Sequence, residues 1–146
     1  MTAYQNNVVL VIEDDADIRF GLAVILEDEG YTVATAPNGR EALKYLRETP
    51  APPCLILLDL MMPAMDGQHF RAEQLRDPEF AHIPVVVLSG HYDPQQNAAS
   101  LGAVASLRKP ADIDTVLQLI EAHCVRQYES APSCRPAAPV RPAAED

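Results

Sequence analysis

The run Leu55-Ile56-Leu57-Leu58 leads straight into Asp59, and this junction restricts the fold more than any other stretch of the chain. Four consecutive large apolar residues leave no polar face, so a strand made of them is covered on both sides. A carboxylate at its end has to leave the core, because burying an isolated charge is costly. The pattern recurs. Val8–Ile12, a short β-branched run, leads into Glu13-Asp14-Asp15. The stretch IPVVVLSG (83–90) brings an apolar run to Ser89, and a weaker strand within 103–110 ends on Lys109-Pro110.

Helical patterns fill the gaps between these runs. From Asp17 the apolar residues Ile18, Leu22, Ile25 and Leu26 recur at helical spacing, and Gly30 stops the helix. Residues 31–36 (YTVATA) read as a strand. Ala42, Leu43 and Leu46 then mark a short helix that ends before the proline-rich stretch 49–53. A third helix spans Gly67 to about Arg76, with Phe70 and Leu75 as its inward residues. Asp93-Pro94 is a helix start, a cap followed by proline at the first helical position, and this helix (93–101) has few apolar anchors. Ile113, Val116, Leu117, Ile120 and Cys124 mark the last amphipathic helix. Strand and helix thus alternate five times, which implies a doubly wound α/β domain with a parallel sheet covered on both faces. Its expected bounds are residues 5–127. Residues 128–146, mostly Pro, Ala and charge, are expected to form a flexible tail.

Charge and composition exclude several functions. The chain of 146 residues carries a net charge of −10, and its 11 Lys and Arg residues are scattered, with Arg108-Lys109 the adjacent pair. A nucleic-acid groove needs a basic stripe, so direct nucleic-acid binding is not expected. The N-terminal stretch has no basic region and only a five-residue apolar run, which is too short for a signal peptide or membrane insertion. Three cysteines without a repeating spacing suggest neither a disulfide framework nor a zinc site. Cys54 is expected in the core, Cys124 on a helix face and Cys134 as an exposed tail thiol. A cytoplasmic location follows. His69, His82 and His123 read as surface residues.

The strand endings carry the chemistry. In open α/β sheets, ligands bind at the carboxyl ends of the strands. Glu13, Asp14, Asp59, Ser89 and Lys109 should therefore gather along one edge. Two carboxylates ~4 Å apart repel by roughly 4 kcal/mol at an effective dielectric near 20. Three such groups call for a cation, and hard oxygen donors suit Mg²⁺. Lys109 and a phosphate-bearing ligand would complete the charge balance. A carboxylate beside a divalent cation is also a plausible nucleophile toward phosphorus.

Taken together, VLVIEDDADIR (9–19), LLDLMMPAMDG (57–67), VVVLSG (85–90) and LRKP (107–110) closely resemble the receiver domain of bacterial response regulators, over residues 7 to about 125. The resemblance implies a flavodoxin-like fold with strand order 2-1-3-4-5. It implies that Asp59 accepts a phosphoryl group from a phosphohistidine on a sensor histidine kinase or a histidine phosphotransfer protein. Asp14, Asp59 and the Met61 main-chain carbonyl would ligate Mg²⁺, with Glu13 acting through water. Ser89 and Lys109 would bind the phosphoryl oxygens, and the Lys109-Pro110 bond would be cis. The start of the first helix (Asp17, Ile18, Leu22) would meet the histidine-bearing partner. The face built from residues 93–127 would serve a downstream protein or a homodimer.

Some positions depart from the family pattern. Ser106 stands where many receivers carry Tyr or Phe, so the usual inward-swinging ring is missing. Gly90 replaces a common alanine, and His91 occupies a position that tunes phosphoryl lifetime in the family. The chain shows no DNA-binding or enzymatic output domain, so a stand-alone receiver is expected, with only self-phosphorylation and self-dephosphorylation chemistry. A phosphorylation-independent adaptor is the alternative reading. An aspartate-nucleophile phosphatase is disfavoured by Met61, where a second aspartate is often wanted. A flavin site is disfavoured by the acidic loop after the first strand.

Overall fold

A computed structural model describes residues 7–59, 67–89, 102–108 and 112–124. The strands are β1 (Val8–Ile12), β2 (Thr32–Ala36), β3 (Leu55–Asp59), β4 (Val85–Ser89) and β5 (Ala105–Arg108). The helices among these residues are α1 (Ala16–Asp28), α2 (Gly39–Glu48), α3 (Gly67–Arg76) and α4 (Ile113–His123). The strands form one sheet in the order β2-β1-β3-β4-β5, and every pairing is parallel. The parallel, doubly wound sheet is the one expected from the alternating pattern, and its flavodoxin-like strand order is the one the family resemblance implies. The expected helix at 93–101 and the tail at 128–146 lie outside the described residues.

Both sheet faces are packed, as the unbroken apolar strands require. On one face Leu10, Ile12, Ile56 and Leu58 meet Leu43 and Leu46 of α2 and Phe70 of α3. On the other, Val9, Val11, Leu55 and Leu57 meet Leu26 of α1 and Val116 and Ile120 of α4. All five residues of β3 are buried. β3 lies at the centre of the sheet, between β1 and β4, with helices on both sides.

Local signals set the helix ends. The Asp15 carboxylate caps α1, accepting from the amides of Asp17 at 2.9 Å and Ile18 at 3.1 Å. At the other end Gly30 takes φ 100°. The Gly30 amide donates to the Glu27 carbonyl and the Tyr31 amide to the Leu26 carbonyl, both at 3.1 Å. This is a Schellman closure, and it buries Tyr31 against Leu26.

One inward assignment needs correction. Leu75 is not an inward residue of α3: it is 50% exposed. The buried face runs through Phe70, Arg71 and Gln74 instead, because these polar side chains satisfy loop carbonyls. Gln74 Nε2 donates to the carbonyls of Phe80 at 2.9 Å and Ile83 at 3.2 Å. Arg71 donates to Gln74 Oε1 at 2.7 Å and to the Gly102 carbonyl at 3.1 Å. Burial lowers the pKa of the Arg71 guanidinium from its ordinary value. In α1, Leu26 is buried and Leu22 partly so, but Ile18 and Ile25 are exposed, as are Phe20 and Val24. A single stripe of α1 meets the sheet.

The cysteines also differ from expectation. Cys54 and Cys124 form a disulfide between the start of β3 and the end of α4. Sequence spacing could not show this, because 70 positions separate the two residues and only the closed sheet brings them together. His69, His82 and His123 are exposed, as expected.

The two phenylalanines on either side of this packing scheme should behave oppositely. Phe70→Ala empties a fully buried site and should cost about 3–5 kcal/mol in urea unfolding. Phe20→Ala, at a residue 72% exposed, should stay within about 0.5 kcal/mol.

Candidate functional site

The site is built by register. Ile12 of β1 pairs with Leu58 of β3, so the next residues, Glu13 and Asp59, come level with each other at the carboxyl edge. The Glu13 amide donates to the Ala36 carbonyl at 3.1 Å, which carries the β1–β2 ladder one residue past the strand. Glu13 and Asp59 are 1% and 2% exposed, while Asp14 is exposed to solvent. One carboxylate oxygen from each of Glu13, Asp14 and Asp59 falls in a cluster whose members all lie within 4.8 Å of one another. The sequence expectation of an acidic edge is therefore met for these three residues.

Nearby groups hold the acidic turn in place. The Asp15 amide donates to Glu13 Oε2 at 3.2 Å, which draws that carboxylate back onto its own turn. Arg19, one turn into α1, donates to the Glu13 carbonyl at 2.8 Å and to the Asp14 carbonyl at 3.5 Å. Its guanidinium binds the turn's backbone and adds positive charge beside the cluster. Arg19 ends the stretch VLVIEDDADIR, where the sequence alone assigns it no role. The available signal was its spacing, five and six residues after the two carbonyls it reaches, one helical turn past the cap.

The side of the cluster toward β4 and β5 is described only in part. Asp59 pairs with Leu88, so Ser89 stands one step beyond Asp59 on the adjacent strand. Ser89 in turn pairs with Arg108 of β5. Met61, His91 and Lys109 lie outside the described residues. Ser106 pairs with Val87, and its hydroxyl is buried with no hydrogen-bond partner among the described residues. Three clustered carboxylates with no soft donor among them fit a hard divalent cation. Such a cluster, placed where a switch-point ligand would sit, also offers a candidate nucleophilic oxygen on the buried Asp59.

Known proteins resemble this chain in sequence and fold. The response regulator receiver domain family model matches residues 9–121. Sporulation initiation phosphotransferase F of Bacillus subtilis is 31% identical over 80% of this chain and 92% of its own length. A response regulator receiver protein from Pseudomonas putida superposes with a TM-score of 0.74 at 29% identity, covering 83% of this chain and 99% of that one. The response regulator TrrA of Thermotoga maritima, in complex with Mg²⁺-BeF, superposes with a TM-score of 0.69 at 26% identity, covering 80% and 97%. Sheet order, the acidic cluster at the carboxyl edge and the family match agree, and the chain belongs to the response regulator receiver domain family.

Proposed function

We propose that this receiver accepts a phosphoryl group on Asp59 from a phosphohistidine carried by a sensor histidine kinase or a histidine phosphotransfer protein. The observation that carries the reading is the carboxylate cluster of Glu13, Asp14 and Asp59 at the end of the central strand. An Asp59 oxygen attacks the phosphorus, the P–N bond breaks, and its electron pair returns to the imidazole. β3 holds Asp59 rigidly for that attack, since the rest of the strand is fully buried.

Asp14, Asp59 and the Met61 carbonyl would hold Mg²⁺ directly, and Glu13 through water. When bound, Mg²⁺ supplies the positive charge that offsets repulsion between the carboxylates and the incoming phosphoryl oxygens. The tether from the Asp15 amide to Glu13 supports an outer position for that carboxylate. Ser89 and Lys109 bind the phosphoryl oxygens. The phosphoryl group adds about −1.5 to −2 charge and three acceptors, enough to re-aim both residues. Ser106 leaves the relay without its aromatic ring, and His91 tunes the lifetime of the phosphoryl group. The chemistry is confined to the chain's own phosphorylation and hydrolysis.

The donor approaches over the start of α1. Ile18 is exposed there, beside the partly buried Leu22, and exposed apolar side chains of this kind suit a protein-interaction surface. A cytoplasmic location is consistent with the described helices, none of which is long and apolar enough to cross a membrane.

Incubation with acetyl phosphate and Mg²⁺ should add the mass of one phosphoryl group to the intact chain. The gain should vanish in Asp59→Ala and without Mg²⁺; no gain in a folded wild-type protein would overturn the reading. A second measurement separates charge from fold. Asp14→Asn should raise unfolding stability without metal by roughly 1–2 kcal/mol, because it removes a like charge from a partly solvated cluster. The same variant should weaken Mg²⁺ binding, followed by metal titration, at least about tenfold.

A further inference from the structure

The Cys54–Cys124 bridge lies at the opposite end of β3 from Asp59. Cys54 immediately precedes the strand and Cys124 follows the last turn of α4, with Cα atoms 5.5 Å apart. Each backbone is anchored independently of the bond. The Cys54 amide donates to the Val8 carbonyl at 2.8 Å, and the Cys124 amide to the Ile120 carbonyl at 2.8 Å. The sheet and the helix therefore set the spacing themselves. That spacing sits inside the range of about 4.4–6.8 Å that a disulfide spans without backbone movement.

The same place suits two thiols. Cys124 is buried in an apolar cluster with Val116, Ile120 and Leu55, where a reduced cysteine packs as a small hydrophobe. Cys54 Sγ lies 3.1 Å from the Val8 carbonyl oxygen, an acceptor for the S–H of the reduced residue. The surrounding core is closed by burial on both sheet faces. Cys54 is only partly buried, so an external thiol or disulfide has a sulfur to reach.

We propose that Cys54 and Cys124 form a reversible thiol–disulfide couple that fastens the end of α4 to the start of β3. The oxidant is a low-molecular-weight disulfide. The Cys54 thiolate attacks one of its sulfurs, forming a mixed disulfide and releasing one small thiol. The Cys124 thiolate then attacks the Cys54 sulfur and releases the second. Two electrons and two protons pass from the protein to the two small thiols, and two such thiols reverse the sequence. Closure encloses β3, α3, β4, β5 and α4 in one covalent loop. In the open form, packing and helix hydrogen bonds alone hold the last turn of α4. Asp59 keeps its place in both forms, because the central pairing of β3 is unchanged. The inference stands independently of phosphoryl transfer.

The test uses the full chain with Cys134→Ser, which leaves only the pair. Folded protein is equilibrated in glutathione buffers from fully reduced to fully oxidised, quenched with iodoacetamide and weighed intact. The couple gives two alkyl groups per chain in reduced glutathione and none in oxidised glutathione, reversibly. Circular dichroism should stay folded in both states, with a melting temperature roughly 10 °C lower in the open form. Hydrogen exchange at residues 116–123 should quicken on opening. A bond that opens only in denaturant, a pair that never closes, or unfolding on reduction overturns the proposal. Phosphoryl gain on Asp59, read separately in the open form and in Cys54→Ser, should persist. Its loss from the wild type as well would count against the phosphoacceptor reading alone.

Discussion

The pairing of Ile12 with Leu58 is the contact on which the site depends. It joins two apolar runs in the middle of the sheet, and each run leads directly into a carboxylate, Glu13 after β1 and Asp59 at the end of β3. The burial that drives this pairing therefore forces Glu13 and Asp59 together against their mutual repulsion. A one-residue slip would turn every side chain of the strand to the opposite face, and strands buried on both sides are sensitive to such a change. The binding chemistry is in this sense a by-product of core packing: apolar area holds in place a charge cluster that would otherwise separate.

Around that cluster the chain adds local restraint rather than more charge. Asp15 is spent on capping α1 and so does not join the other three carboxylates. Arg19 grips the carbonyls of the acidic turn, and the Asp15 amide holds Glu13. The result is an anionic hollow with a fixed backbone and one exposed carboxylate, Asp14, facing solvent. A cation meets carboxylate oxygens that are already gathered, so little ordering is left to be done at binding.

β3 connects this hollow to a second chemical feature. Its carboxyl end carries Asp59 and its amino end is preceded by Cys54, so one central strand links an acidic cluster with a sulfur bridge to α4. The two lie at opposite edges of the sheet, and chemistry at one does not obstruct the other. The buried Arg71–Gln74 pair plays a comparable tying role on the other face, joining α3 to the carbonyls of Phe80, Ile83 and Gly102.

The sequence alone was enough for the alternating order, the parallel sheet and the three clustered carboxylates. These depend on unbroken apolar runs and on what ends them, which are properties of neighbouring residues. Asp15 as a cap and Gly30 as a stop were legible for the same reason. Hydrophobicity alone points Leu75 inward, whereas α3 turns Arg71 and Gln74 inward to satisfy the carbonyls of Gly102 and Phe80, contacts that helical spacing does not display. Arg19 was overlooked because its partners are backbone atoms, which leave no pattern in the side-chain sequence. The Cys54–Cys124 pairing was invisible for the clearest physical reason: a distance of 5.5 Å between residues 70 positions apart exists only after α4 has docked on the sheet.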